Sequence, residues 1–224
     1  LWGAPRIRDE FALLGHAVAE STVAKYMVKH KDSAPSQTWR SFLANHVDVT
    51  AACDFFVVPT LTFNLLYVFV VFSHDRRRIL HVNVTDHPTA EWTARQLLEA
   101  FPYDSPPKYV LRNNDKIYGE EFTDQVEILG IKEVPTAPKS PWQNPYVERA
   151  IGSIRRECLD HIIPLNEAHL RRVLGEYVGY YNRARSHQAL DGNAPEPRTK
   201  ETAGEVVATP VLGGLHHRYS CTAA

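Results

Sequence analysis

The chain reads as an α/β protein: a mixed five-stranded sheet with helices on both faces, preceded by a small helical segment. Three observations predict this. Runs rich in Val, Phe and Ile at 49–58, 65–73 and 79–84 follow one another across short turns, the pattern of an antiparallel meander. After them, amphipathic stretches of helical period alternate with two short apolar runs, which lays helices over a sheet. Before them, two short helical stretches flank a glycine.

At 224 residues there is room for one sizeable core plus an appendage. Lys and Arg total 25 against 26 Asp and Glu, so the chain is no extended nucleic-acid coat, although local basic patches remain open. Cys53, Cys158 and Cys221 are too few and too scattered for a disulfide framework or a four-cysteine zinc site, and a reducing, intracellular setting fits best. The N-terminus lacks a basic segment followed by an apolar run, and it starts at Leu1; the expectation is a fragment with sequence missing upstream. Phe55–Phe72 is mostly apolar but is interrupted by Pro59, Thr60, Thr62 and Asn64. Two buried strands around a turn explain it better than a membrane span.

In order, residues 1–30 predict two helices. Ile7, Phe11 and Leu14 form one apolar face, Gly15 ends that helix, and Val23, Tyr26 and Met27 form the next face. Helix, glycine turn, helix is a helix-turn-helix pattern that would present Ser21, Thr22 and Lys25 outward; a plain helical hairpin fits equally, since Ala19 stands where a capping Ser or Asp is expected. Residues 31–48 read as a polar linker and a short helix around Trp39, Phe42 and Leu43. The core runs from 49 to 199. Its three strands are followed by a helix from Pro88 to about Phe101, capped with help from His87 and burying Trp92, Leu97 and Leu98. Then come a strand at 109–112, a helix at 119–129, a strand at 131–134, a Pro-rich loop, a helix from Pro145 with Asn144 as its cap, and a long helix at 167–182. The tail, 200–224, is rich in small residues and contains Gly213-Gly214, suggesting partial disorder. The order β-β-β-α-β-α-β-α is, by analogy, that of ribonuclease-H-like folds.

Two acids stand out. Asp54 lies in ACDFFVV among core residues, where a carboxylate is costly unless paired or metal-bound. Alternation puts Ala52, Asp54 and Phe56 on one side of the strand and Cys53, Phe55 and Val57 on the other. Glu148 sits in the first turn of the post-proline helix, with Val147, Ile151 and Ile154 on the buried face, and Gly152, Arg155 and Arg156 near its own side. An acid in a first turn is also simply a good dipole partner. His81, His87, His216 and His217 show no zinc-ligand spacing.

From about Ser36 to Arg198 the chain resembles the D,D,E-type integrase catalytic core of bacterial insertion-sequence transposases, the group that includes retroviral integrases. ACDFF, HPTAEW at 87–92, RNNDKIYG at 112–119, PWQNPYVERAIGSIRRECLDH at 141–161 and YYNRARSHQAL at 180–190 carry the resemblance. It implies metal-dependent DNA cleavage and strand transfer, in which water and then a DNA 3′-hydroxyl attacks a phosphodiester. A carboxylate triad holds two Mg2+ or Mn2+ ions, hard cations that want oxygen ligands. Asp54 matches the first position and Glu148 the last.

The middle position, five residues before Tyr118 and 34 intervening residues before Glu148, is Asn113. Asn keeps a carbonyl oxygen and loses the charge. Asp115 is a candidate substitute, but on an extended chain it would stand about 6–7 Å further along. Whether this copy is an active enzyme is thus left open by the residues themselves. One reading is a DNA-integrating transposase impaired at position 113; the alternative is a catalytically inactive DNA-binding protein derived from one. DNA-contact candidates are Ser21, Thr22, Lys25, Arg155, Arg156, Arg183 and Arg185, although the last four could instead be a solvated helix face or close the fold. The resemblance further implies transposon ends and target DNA as partners, a homo-oligomer on DNA, no membrane, and a bacterial cytoplasmic, nucleoid-associated location.

Overall fold

The computed structural model describes residues 4–27, 38–102, 106–115, 117–137, 140–199, 201 and 203–222. The chain divides into two compact units, Leu1–Phe42 and Leu43–Ala224. The first contains α1 (Ala4–Leu13) and α2 (Glu20–Tyr26). Gly15 reverses the chain between them in the left-handed region, φ +85°, a conformation glycine adopts without penalty. Ala19 occupies the N-cap of α2 without a side-chain bond. Val23 is buried, but Tyr26 and Leu14, expected on apolar faces, are 78% and 73% exposed. The predicted linker at 31–37 lies outside the described residues. A short helix, α3 (Trp39–His46), follows.

The second unit is built on a five-stranded sheet in the order β3-β2-β1-β4-β5. Its strands are β1 (Thr50–Pro59), β2 (Leu65–Ser73), β3 (Ile79–Thr85), β4 (Tyr109–Arg112) and β5 (Lys132–Pro135). The first three pair antiparallel, whereas β4 runs parallel to β1 and β5 parallel to β4. On one face, α4 (Ala90–Ala100) and α5 (Glu120–Ile128) contribute Leu97, Phe122 and Val126 to a core with Cys53, Phe69, Val71 and Val110. On the other, α6 (Pro145–Glu157) buries Val147, Ala150, Ile151 and Ile154, and α7 (Glu167–Arg183) buries Leu170, Val173, Leu174 and Tyr177. The edge strand β3 is covered by α7. The Asn182 side chain accepts from Ile79 N–H and donates to its carbonyl, at 3.1 and 2.8 Å, while Arg171 donates to the Val84 carbonyl at 2.9 Å. An open edge is thereby closed to strand pairing.

Four expectations are corrected. Thr89, not His87, caps α4, its hydroxyl accepting from Trp92 N–H at 3.1 Å, and Leu98 is 43% exposed. Asn144 stands at the N-cap of α6 but makes no side-chain cap bond; it is turned inward and buried. The tail is ordered where described: β6 (Val206–Val211) and β7 (His216–Cys221) form an antiparallel hairpin. A small-residue composition had masked the Val-Val-Ala-Thr and His-Arg-Tyr alternation that pairs across it. The hairpin is fastened by His216, which stacks on Tyr180 at 4.5 Å and bonds the Glu157 carbonyl at 2.7 Å.

Candidate active site

Alternation along β1 sends Cys53 and Phe55 into the α4–α5 core and leaves Asp54 and Phe56 on the side of α6, where the Arg155 guanidinium lies 5.0 Å over the Phe56 ring. Asp54 is only 6% exposed. Its Oδ1 accepts from Phe55 N–H at 2.8 Å and from Asn113 Nδ2 at 3.1 Å. Burial pushes its carboxyl up to about 7; the Phe55 N–H opposes this, and the charges of Glu148 and Asp115 add to it. A carboxyl so shifted is one with nearby negative charge and too little water to screen it. The acid inside the first strand and the acid heading α6 are therefore near enough for the charge of Glu148 to act on Asp54.

Parallel register explains why Asn113 is there. Ala52 pairs with Leu111, so two residues further along each chain Asp54 and Asn113 meet on the same side. Arg112, 9% exposed, fixes the turn: it is ion-paired with Glu133 on β5, donates to the Asn113 carbonyl at 2.9 Å and lies 5.2 Å over the Tyr118 ring. In the sequence this clamp leaves little trace. The Arg ending a buried strand was its only signal.

The orientation of the Asn113 amide decides the chemistry. Its Oδ1 accepts from Asp115 N–H at 3.2 Å, so the amino group is the end that faces Asp54. An N–H donor stands where a second carboxylate would supply oxygen. Asp115 does not continue an extended strand, as the 6–7 Å expectation assumed. The chain turns after Arg112, and the Asp115 carbonyl and carboxylate accept from Tyr118 N–H and Ile117 N–H at 3.2 and 3.4 Å. That turn brings its charge to bear on Asp54.

Asp54 and Glu148 are hard oxygen donors suited to one divalent cation, with Asp115 nearby. Asn113 does not complete a donor set for a pair of ions. Among the described residues, no group of three His, Cys, Asp or Glu side chains stands close enough to share a metal ion.

The DNA-contact candidates divide. On α2, Ser21, Thr22 and Lys25 are exposed around buried Val23. Arg155 is exposed but donates to the Val57 carbonyl at 3.3 Å, and Arg156 folds back over Gly152, where an added Cβ would meet its Nη1 at 2.9 Å. Arg183 pairs with Glu196 at 3.2 Å. Arg185 grips Glu157 through two bonds of 2.8 and 2.6 Å. With Tyr177 also donating to Glu157 at 2.9 Å, these bonds outweigh burial and hold that carboxyl below its ordinary range. Arg185 thus ties α6 to the segment after α7. Among the described residues no helix is long and apolar enough to cross a membrane.

Residues 129–195 match the integrase core domain family. The chain is 28% identical over 233 residues to the insertion element IS476 uncharacterized 39.2 kDa protein of Xanthomonas euvesicatoria, covering 92% of this chain and 63% of that one. It therefore spans less than two thirds of that relative's length. Among solved structures, the simian T-cell lymphotropic virus intasome in complex with PP2A regulatory subunit B56 gamma superposes with a TM-score of 0.53 at 16% identity, covering 77% of this chain and 66% of that one. The HTLV-2 integrase catalytic core domain in complex with magnesium also gives 0.53, at 14% identity, covering 66% of this chain and 93% of that one. These likenesses show the fold. The sequence matches add that residues 129–195 are similar to the integrase core domain family and that the chain as a whole is similar to an insertion-element protein.

Proposed function

We propose that this protein is an integrase-type transposase whose reaction is phosphoryl transfer on DNA, with Asp54 and Glu148 as its metal-holding carboxylates. The observation that carries the reading is the Asp54 carboxyl, buried midway along β1 and facing α6, where burial raises it to about 7 and the charge of Glu148 adds to the rise. Two acids drawn into mutual repulsion are stabilised when a cation joins them. A divalent ion there, Mg2+ or Mn2+, supplies charge stabilisation to the phosphodiester oxygens. The chain's own part is positional: Phe55 N–H and Asn113 Nδ2 hold Asp54 Oδ1, leaving Oδ2 to meet a cation, and the first turn of α6 carries Glu148 to it. The partners are then transposon-end and target DNA, with more than one copy assembled on the joined ends, in the bacterial cytoplasm at the nucleoid.

The Asn113 amino group facing Asp54 favours a second reading, a catalytically silent DNA-binding protein built on the same fold. Nicking and strand-joining of end-bearing duplexes with Mg2+ or Mn2+, run on the parent, Asn113→Asp and Glu148→Gln, separates them. Activity in the parent that is lost in Glu148→Gln supports the enzyme. Activity in Asn113→Asp alone supports the silent form. Activity that survives in Glu148→Gln overturns both the carboxylate assignment and the function resting on it.

A further inference from the structure

Beside α6 lies an open pocket of about 370 Å³, bordered by the turn after β2, by α6 and by the segment after α7. Arg77, Tyr146, Arg149, Ser153 and His187 are among its lining residues, and among the described residues no carboxylate is. Arg185 also lines it, but its guanidinium is already committed to Glu157. Arg77 and Arg149 are different: among the described residues neither forms an ion pair with a carboxylate.

The turn is built to hold Arg77 in place. Arg76 and Arg77 adopt φ of +43° and +57°, a left-handed conformation that non-glycine residues occupy at a cost and that persists only when the surroundings enforce it. The enforcement is visible. Arg76 donates to the Pro195 and Ala194 carbonyls at 2.8 and 3.1 Å, which leaves the next guanidinium lying 3.8 Å over the Tyr146 ring. His187, 8% exposed, bonds the Tyr181 carbonyl at 3.4 Å and faces an Arg185 donor at 3.4 Å through its other nitrogen. That pattern suits a neutral imidazole, so the positive charge of the pocket is that of its arginines. Positive charge collected in a concave, carboxylate-free site calls for an anion.

We propose that this pocket binds a backbone phosphate of DNA, at a point separate from the strand held at Asp54 and Glu148. The proposal rests on the DNA reading above and adds to it a second contact. Glu148 and Arg149 are consecutive on α6, so their side chains diverge by roughly 100° around a helix about 10–12 Å across. A DNA segment engaged at the carboxylates can thus place another phosphate on this flank, since the major groove separating two backbones is about 12 Å wide.

The test is binding of a fluorescently labelled random-sequence duplex, by anisotropy across a salt series in EDTA, so that metal and cleavage play no part. Each phosphate contact contributes about 0.9 to the slope of log affinity against log salt. Arg77→Ala and Arg149→Ala should each lower the slope by about one, the double variant by about two, and Lys at either position should restore it. Ala189→Glu, at an exposed lining position, leaves both arginines intact and should also weaken binding. It keeps the test available if the alanine variants melt early. An unchanged slope in Ala189→Glu and in the folded arginine variants overturns the proposal. So does a parent that binds no duplex, or an unchanged slope accompanied by a change in oligomeric state, which would make the pocket a protein contact. A parent that cleaves nothing yet loses slope in the variants keeps the pocket and sinks the catalytic reading instead.

Discussion

Asn113→Asp perturbs the one position that separates the two functional readings, and its consequences can be worked from the contacts. In metal-free protein the substitution removes a 3.1 Å donor from a buried carboxylate, worth about 1.5–3 kcal/mol for a bond to a charged group. It also sets a third negative charge beside those of Glu148 and Asp115. Part of that repulsion is relieved by proton uptake, because two close carboxylates share a proton more readily than both ionise. The net cost is about 2 kcal/mol, or roughly 4–8 °C in melting temperature for a domain of this size. Saturating Mg2+ or Mn2+ should reverse the ranking. A ligand at a hundred times its dissociation constant returns about 2.7 kcal/mol, and the variant should bind far more tightly than the parent. Thermal melts in EDTA and in either metal, paired with the nicking assay, read both effects. The reasoning is refuted if the variant melts at or above the parent in EDTA, or if metal shifts the two proteins equally.

Asp54 makes stability depend on pH. Its folded value, about 7, lies above the ordinary 3.8, so its contribution is fully present below about pH 4 and is lost as pH rises through 7, in all roughly 4 kcal/mol. Asp54→Asn should flatten that dependence in denaturant melts taken in EDTA. Glu148→Gln should lower the Asp54 value toward the usual carboxylate range, seen as a shift of its carboxyl resonance in an NMR titration, because one source of repulsion is gone. His216→Ala should loosen the C-terminal hairpin while sparing the main sheet. It removes a stacked ring pair worth about 0.5–1.5 kcal/mol and a bond to the Glu157 carbonyl, so amide exchange in 206–221 should rise without an equal change at 50–59.

The order of elements was legible in the sequence because each is written in local chemistry. Val- and Phe-rich runs specify β1 and β2, Pro145 opens α6, and the three- and four-residue spacing of Val147, Ile151 and Ile154 marks its buried face. Asp54 and Glu148 were visible for a related reason, since a carboxylate among core residues and a carboxylate just past a Pro-rich loop are local anomalies. Errors fell where a local cue had competitors: His87 against Thr89 for one cap, or Asn144, a fitting cap residue whose side chain packs inward instead. The tail misled through composition, which hides alternation when strands are short and half exposed.

What the sequence could not contain is orientation. It named Asn113 and counted its distance from Glu148, but only the β1–β4 register and the Asp115 amide show that the amino group, not the carbonyl, is turned to Asp54. It listed Arg185 beside other arginines, and only folding revealed that Glu157, 28 residues away, claims it while Arg77 and Arg149 pair with no carboxylate among the described residues. Residue identity sets what charge and hydrogen-bonding capacity are available. Which partner uses them depends on which strands and helices are brought side by side, and that is settled by the packing of the whole chain.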